Sequence, residues 1–355
     1  MNALVIATIS FTSAVTCYAG VELFRRQSLV RNWFDVPNER SSHTRPTPRG
    51  GGVVIVIICL AGYVGTSLLA AGSFSWGYFV GALMLAIVSW IDDRYSISAV
   101  WRLPVHFVSS ILLVVSVGPF ESVGLPSGEA IRLAFLAPAI TVLWIVWMIN
   151  AYNFMDGIDG IAGVQAIVAS TGWAIVTAML GASQLAAFSL IVLGSSAGFL
   201  AHNWRPARVF MVDVGSAFLG YTFAAIPLLA ARAAPNMLPW LPVAGLFLLW
   251  PFAFDSAFTI LRRMLRGQKI WEAHREHLYQ RLILAGYSHS TVSIIYLAFA
   301  ILSAIDLFVA IKFIGKAAVA SIILLFLMTS IFMIIISVLT GKMGDKELDL
   351  TDGTI

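Results

Sequence analysis

Long apolar blocks separated by short polar stretches run the length of the chain. Eleven blocks approach the roughly 20 residues that an α-helix needs to cross a bilayer: residues 2–24, 52–72, 75–91, 104–119, 131–149, 161–181, 184–201, 214–231, 238–261, 290–311 and 316–340. The pattern predicts an all-α, polytopic membrane protein of about 11 transmembrane helices. Blocks 75–91 and 104–119 are short enough to be tilted, broken or shifted. Residues 1–340 read as one transmembrane domain. The charged tail from 341 to 355 is expected to lack structure.

Composition agrees with the pattern: 59% of the 355 residues are hydrophobic and 11% charged, against about 25% charged in an average globular domain. The longest polar stretches are too short to build a separate core. Cys17 and Cys59 both lie in apolar blocks, so neither a disulfide framework nor a zinc site is indicated. No Lys or Arg precedes the first block, which reads as an uncleaved helix.

Charge sets an orientation. With the N-terminus outside, 18 of the 22 Lys and Arg residues fall in inner loops or the tail, leaving Arg132, Arg232, Lys312 and Lys316 outside. Every polar, motif-like stretch then lies on the inner side, where nucleotide-activated substrates are found. The net charge of +4 comes from these loops. No basic surface with groove-reading or aromatic elements points to nucleic acid; anionic head groups and phosphate esters suit the arginines better.

The central polar stretch, NAYNFMDGIDGIAG from Asn150 to Gly163, sits between two spanning blocks. Ionisable groups in such a place are rare and usually functional. In a straight helix Asn150, Asn153, Asp156 and Asp159 would turn by about 60° at each step of three. A backbone turn at Gly157 and Gly160 could make them converge. A plain polar connection of turn residues is the alternative.

Four further stretches carry candidate chemistry. FDVPNERSSHTRPTPRGGG, from residue 34, ends in glycines whose N–H groups could approach an anion, or in a simple hinge. Asp92 and Asp93 are adjacent carboxylates, explained by a divalent cation, by Arg94 or Arg102, or by an ion pair at an exposed helix end. Asp213, among apolar residues before Gly215 and Ser216, needs a counter-charge or a metal, or is a helix N-cap. In WEAHREHLYQRL a helix would place His274 and His277 on one side with Arg281 a turn further on. That group reads as a metal pair, a cationic patch for diphosphate or an amphipathic surface helix. Asp255, some eight residues from the inner end of its block and an estimated 12 Å deep in a straight helix, either supports the site or bonds a neighbouring helix. Asp306, nearer the opposite face, reads as structural.

In order and content these stretches resemble one family, the polyprenyl-phosphate N-acetylhexosamine-1-phosphate transferases, and HREHLYQRL looks most like the bacterial enzymes that initiate O-antigen. The resemblance implies that Asp213 and Asn153 bind Mg²⁺, or Mn²⁺ in its place. It implies that Asp92 and Asp93 activate the lipid phosphate or support the metal. Asn150, Asp156 and Asp159 would lie near nucleotide and metal, and His274, Arg275 and His277 would lie over the diphosphate or sugar. Arg102, where many members have a lysine, and Arg49 join the substrate-binding candidates. Val212 stands where a glycine is usual. The implied reaction takes an N-acetylhexosamine 1-phosphate, 6-deoxy in some members, from a UDP-sugar to undecaprenyl phosphate in the bacterial inner membrane. It releases UMP, begins O-antigen, teichoic-acid or peptidoglycan assembly, and allows a homodimer. An ion-coupled transporter is the rival class, but it favours midplane charges and repeat symmetry. A CDP-alcohol phosphotransferase would need an aspartate-rich signature in one hairpin.

Overall fold

The computed structural model describes residues 1–37, 46–69, 74–124, 129–233, 239–269, 274–312 and 316–351. Helices dominate them: α1 (Ala3–Val30), α2 (Gly52–Leu69), α3 (Trp76–Tyr95), α4 (Ala99–Val117), α5 (Ala137–Met155), α6 (Ile161–Met179), α7 (Ser183–Asn203), α8 (Val212–Ala233), α9 (Leu241–Leu248), α10 (Trp250–Leu265), α11 (Leu278–Leu284), α12 (His289–Lys312) and α13 (Lys316–Thr351). Two small antiparallel hairpins lie in the loops, β1 (Phe34–Asp35) with β2 (Thr47–Pro48), and β3 (Ser122–Gly124) with β4 (Ala130–Arg132). Among the described residues ten helices are long and apolar enough to cross a membrane, and the α9–α10 pair makes up to eleven. The chain is an all-α, multi-pass membrane protein.

The bundle is built around α8. Each residue from Val214 to Ala230 is buried, and α2, α3, α5 and α9 pack around it. At the other extreme α1 is largely exposed and docks on α7. Gly194 and Gly198, four residues apart on one face of α7, make this possible: a Cβ on either would come within 2.3 Å of the Ser10 or Ala14 carbonyl oxygen. Small residues at this spacing let two membrane helices touch backbone to backbone.

Three expectations change. The two short blocks are full helices: α3 and α4 run on into the polar stretches and carry Asp92, Asp93 and Arg102 on their ends. The ninth block is not one straight span, because α9 and α10 meet at 82°. Pro251 at the start of α10 has no N–H to continue the ladder. Gln165 of α6 donates to the freed Leu248 carbonyl at 2.7 Å, and the Trp250 indole donates to the Thr329 hydroxyl at 2.8 Å. Such partners let a helix break persist in hydrocarbon. Finally, the tail expected to lack structure continues α13 as far as Thr351.

Candidate active site

Three helix ends meet where the polar stretches converge. Asp92 and Asp93 close α3, Arg102 stands in the first turns of α4, and Asp213 opens α8. The α3–α4 turn is set by Ser96, in the left-handed region at φ 51°, whose N–H donates to the Asp92 carbonyl at 2.8 Å. The Ser98 hydroxyl then caps α4. One guanidinium nitrogen of Arg102 donates to both Asp92 and Asp213, at 2.5 Å each. Two carboxylates on separate helices are thus held against a single positive charge, which offsets their mutual repulsion.

The adjacent aspartates divide their work. Asp93 turns away from Arg102, and its two oxygens accept the N–H groups of Asp213 and Val214 at 3.1 Å each. It caps the N-terminus of α8, satisfying amides that the helix itself cannot. The expected catalytic pair is therefore one carboxylate at the cation and one that fixes where Asp213 stands. Val212, just before Asp213, has φ 54°, a conformation seldom adopted by a β-branched residue.

The central stretch supplies the next layer. Asn153 lies beside the Asp213 carboxylate, and its side-chain amide oxygen Oδ1 accepts the Ser216 hydroxyl at 2.6 Å. Asp156 ends α5; burial, then the charges of Asp213, Asp93 and Asp159, push its carboxyl well above the usual carboxylate range. Asn150 lies deeper, bonded to the Val146 carbonyl and to His106. Asp159 is spent on the fold: its carboxylate meets His289 at 3.2 Å and accepts the Ala207 N–H, while its carbonyl accepts Ser293.

A cavity of about 380 Å³ opens over the helix ends, lined by Asp35, Arg49, Asp92, Asp93, Ser96, Ile97, Arg102, Val212 and Asp213. Asp35 was not among the sequence candidates. The β1–β2 pairing, which sets Asp35 opposite Thr47, brings it to the cavity near Arg49. In the glycine run beside it, the Gly51 and Gly52 amides are already taken by the fold. Gly51 and Gly52 donate to the Phe210 and Met211 carbonyls at 3.0 and 3.3 Å, and a Cβ on Gly52 would lie 2.6 Å from the Gly215 Cα. These glycines serve close packing against the start of α8.

His274, Arg275 and His277 do not line that cavity. Nor do the two histidines share a helix: α11 begins at Leu278 with His277 as its N-cap. Their rings nevertheless lie 5.1 Å apart. Burial, and then the nearness of His277 and of the Arg263 guanidinium, push His274 down to about 4; at neutral pH it is an uncharged imidazole, not the cation expected. Arg281 bonds Thr340 at 3.0 Å. The segment joins the central stretch through Tyr279, whose hydroxyl donates to the Phe154 carbonyl at 3.0 Å and lies where a Cβ on Gly157 would fall.

Among the described residues no three His, Cys, Asp or Glu side chains are grouped to cage a metal. Asp92 and Asp213, sharing one cation, with the Asn153 amide alongside, instead make a sparse oxygen set. That suits a magnesium-like ion, which keeps water and substrate phosphates among its ligands.

A family model described as Glycosyl transferase family 4 matches residues 75–231, the segment that carries Asp92 through Asp213. The Bacillus subtilis (strain 168) protein named "Probable undecaprenyl-phosphate N-acetylglucosaminyl 1-phosphate transferase" is 30% identical over 336 residues, 94% of this chain and 92% of its own. A Mycolicibacterium smegmatis decaprenyl-phosphate N-acetylglucosaminephosphotransferase is 28% identical, covering 82% of this chain and 79% of its own. The Yersinia pestis undecaprenyl-phosphate alpha-N-acetylglucosaminyl 1-phosphate transferase is 26% identical over 86% and 84%. With spanning helices that end in a shared carboxylate–guanidinium cluster and a relative this similar over almost its whole length, the chain belongs to the polyprenyl-phosphate N-acetylhexosamine-1-phosphate transferases of glycosyl transferase family 4.

Proposed function

We propose that this protein transfers an N-acetylhexosamine 1-phosphate, 6-deoxy or not, from a UDP-sugar to undecaprenyl phosphate, releasing UMP. The reaction would take place on the inner face of a bacterial cytoplasmic membrane, as the first membrane step of O-antigen or a related surface polysaccharide. The observation that carries the reading is the Arg102 guanidinium held between Asp92 and Asp213 at the mouth of a polar cavity. The names of the relatives, and the positive charge gathered in the loops at that end, support the substrates and the orientation.

In the proposed step an oxygen of the acceptor phosphate attacks the phosphorus that carries the sugar. The bond from that phosphorus to the oxygen bridging the donor's two phosphates breaks, and UMP leaves with the electron pair. The acceptor, a phosphate monoester with a second pKa of about 6, is largely dianionic at neutral pH, so no strong base is required. The difficulty is electrostatic, since two anions must meet beside carboxylates. Arg102 and Arg49 bring fixed positive charge to the cavity, and Asp93 fixes Asp213 by capping α8. Asp213 and Asn153, with Asp92 alongside, would hold Mg²⁺, or Mn²⁺, which when bound neutralises phosphate charge and orders the in-line arrangement.

Purified protein incubated with labelled UDP-N-acetylhexosamines, undecaprenyl phosphate and Mg²⁺ is expected to yield labelled lipid and UMP in equal amounts. Absence of lipid product with a full panel of UDP-sugars would remove this donor class. Asp213→Asn is expected to abolish transfer while the protein still unfolds at its normal temperature in detergent; near-normal turnover would remove the metal assignment.

A further inference from the structure

Asp255 lies in an otherwise largely apolar helix and is completely buried. A carboxylate in that position is tolerable only when its oxygens are saturated by donors. Here they are: one oxygen is contacted by the Thr259 hydroxyl at 3.1 Å, the His277 Nδ1 at 3.1 Å and the Leu278 N–H at 2.9 Å, the other by the Tyr279 N–H at 3.3 Å and the Tyr296 hydroxyl at 2.6 Å. Three of the five donors come from consecutive residues, 277 to 279, of the segment that bears the histidines. The same face of α10 carries Arg263 two turns further on, and Arg263 holds Glu276. Residues 276 to 279 are therefore each bonded to α10, on the far side of the 82° break.

We propose that Asp255 is a positioning residue for the transfer reaction, fixing the ring orientation and tautomer of His277 and seating the 274–279 segment against the end of α5. This rests on the transferase class and not on which sugar is carried. Because a carboxylate only accepts, Nδ1 of His277 carries its proton toward Asp255, and Nε2 is left to accept a hydrogen bond or take a second proton. The ring it orients lies 6.1 Å from Phe154, the neighbour of Asn153 in sequence, and Tyr279 bonds the Phe154 carbonyl from the same segment. Asp255 thus joins the two motif-bearing loops by way of α10. The ninth block's depth in a straight helix has no bearing on this role, since the break turns α10 aside from that axis.

The titratable groups around the His277 ring are Asp255 from α10, His274 from its own segment and Tyr279 from α11, with Tyr296 of α12 behind Asp255 and Arg263 paired to Glu276 beside it. With Asp255→Asn the ring loses the carboxylate that fixes its Nδ1 proton. The variant's kcat is expected to fall at least tenfold with KM changed much less. In a His277→Gln background the same substitution is expected to change kcat little further, because its effect runs through that ring. Additive losses, or an unchanged kcat in a normally folded Asp255→Asn variant, would overturn the proposal. A measurement on the unaltered protein covers the case in which Asp255→Asn does not fold: ¹⁵N-histidine NMR, assigned with His277→Gln, is expected to show the Nδ1–H tautomer for His277. An Nε2–H tautomer there would equally overturn it. The tautomer is read without any donor, so failure of the UDP-sugar reading would be seen separately.

Discussion

Val212 carries backbone strain beside the site: a valine at φ 54° is strained by an amount on the order of 1–3 kcal/mol, whereas a glycine, with no Cβ, adopts that conformation freely. Val212→Gly is expected to raise stability by about 1 kcal/mol, since relief of strain exceeds the added chain entropy of about 0.5–1 kcal/mol. A thermal midpoint in detergent that falls would show that the valine side chain contributes more packing than strain. His274 supplies a second test. Unfolded, its imidazole takes a proton near the ordinary pKa of about 6.5; folded, it resists until about 4. Between those values the unfolded state binds more protons, so this contribution to stability is complete above about 6.5 and lost as pH falls toward 4. His274→Gln should therefore narrow the difference between midpoints measured at pH 7 and pH 5; an unchanged difference would show that the acid sensitivity lies elsewhere. The sequence revealed most of the residues at the cavity but not their division of labour. Neighbours on a helix point about 100° apart, and what Asp92 and Asp93 each face is decided by α8, more than a hundred residues away. Asp35 was missed for the same reason.

Among the elements, α7 shows how small residues fix a contact. Gly198→Val would drive a side chain into the Ala14 carbonyl and is expected to loosen α1 from the bundle, lowering the thermal midpoint by several degrees. Gly65→Val is the control, because a Cβ there meets nothing within 4 Å. Equal effects from the two would point to helix propensity and not to the α1–α7 contact. Hydropathy identified nearly every element, since spanning length is a property of composition alone. It could not reveal the break at α9–α10. Pro251 was in plain view, but a proline within a membrane helix can be absorbed as a kink; what makes this one a full turn is the set of partners, Gln165 and Thr329, brought by α6 and α13. The same limit applies to the histidine segment, whose three-residue spacing suggested a helix. The bonds to Asp255 seat His277 as the N-cap, and the helix begins only at Leu278.

For the whole molecule, the decisive property is that α8 lies at the centre while Asp213 and the other groups of the proposed site sit at its tip. The α3–α4 stretch, the α5–α6 turn, the first loop and the segment before α11 come from separate parts of the chain, and no local pattern could show that they meet. Their common polarity at one end of alternating spans is as far as sequence carries the assembly. Since α8 is sealed from Val214 to Ala230, bilayer hydrocarbon never touches the helix that bears Asp213. A long isoprenoid tail has to reach the reaction centre along another wall. On α4 the residues Trp101, Pro104, Val108, Ile111 and Val115 form one outward, apolar track that leads up to Arg102. A photoactivatable polyprenyl phosphate is expected to label that track and leave α8 unlabelled; adducts on α8 would mean that the bundle opens to admit its lipid from within.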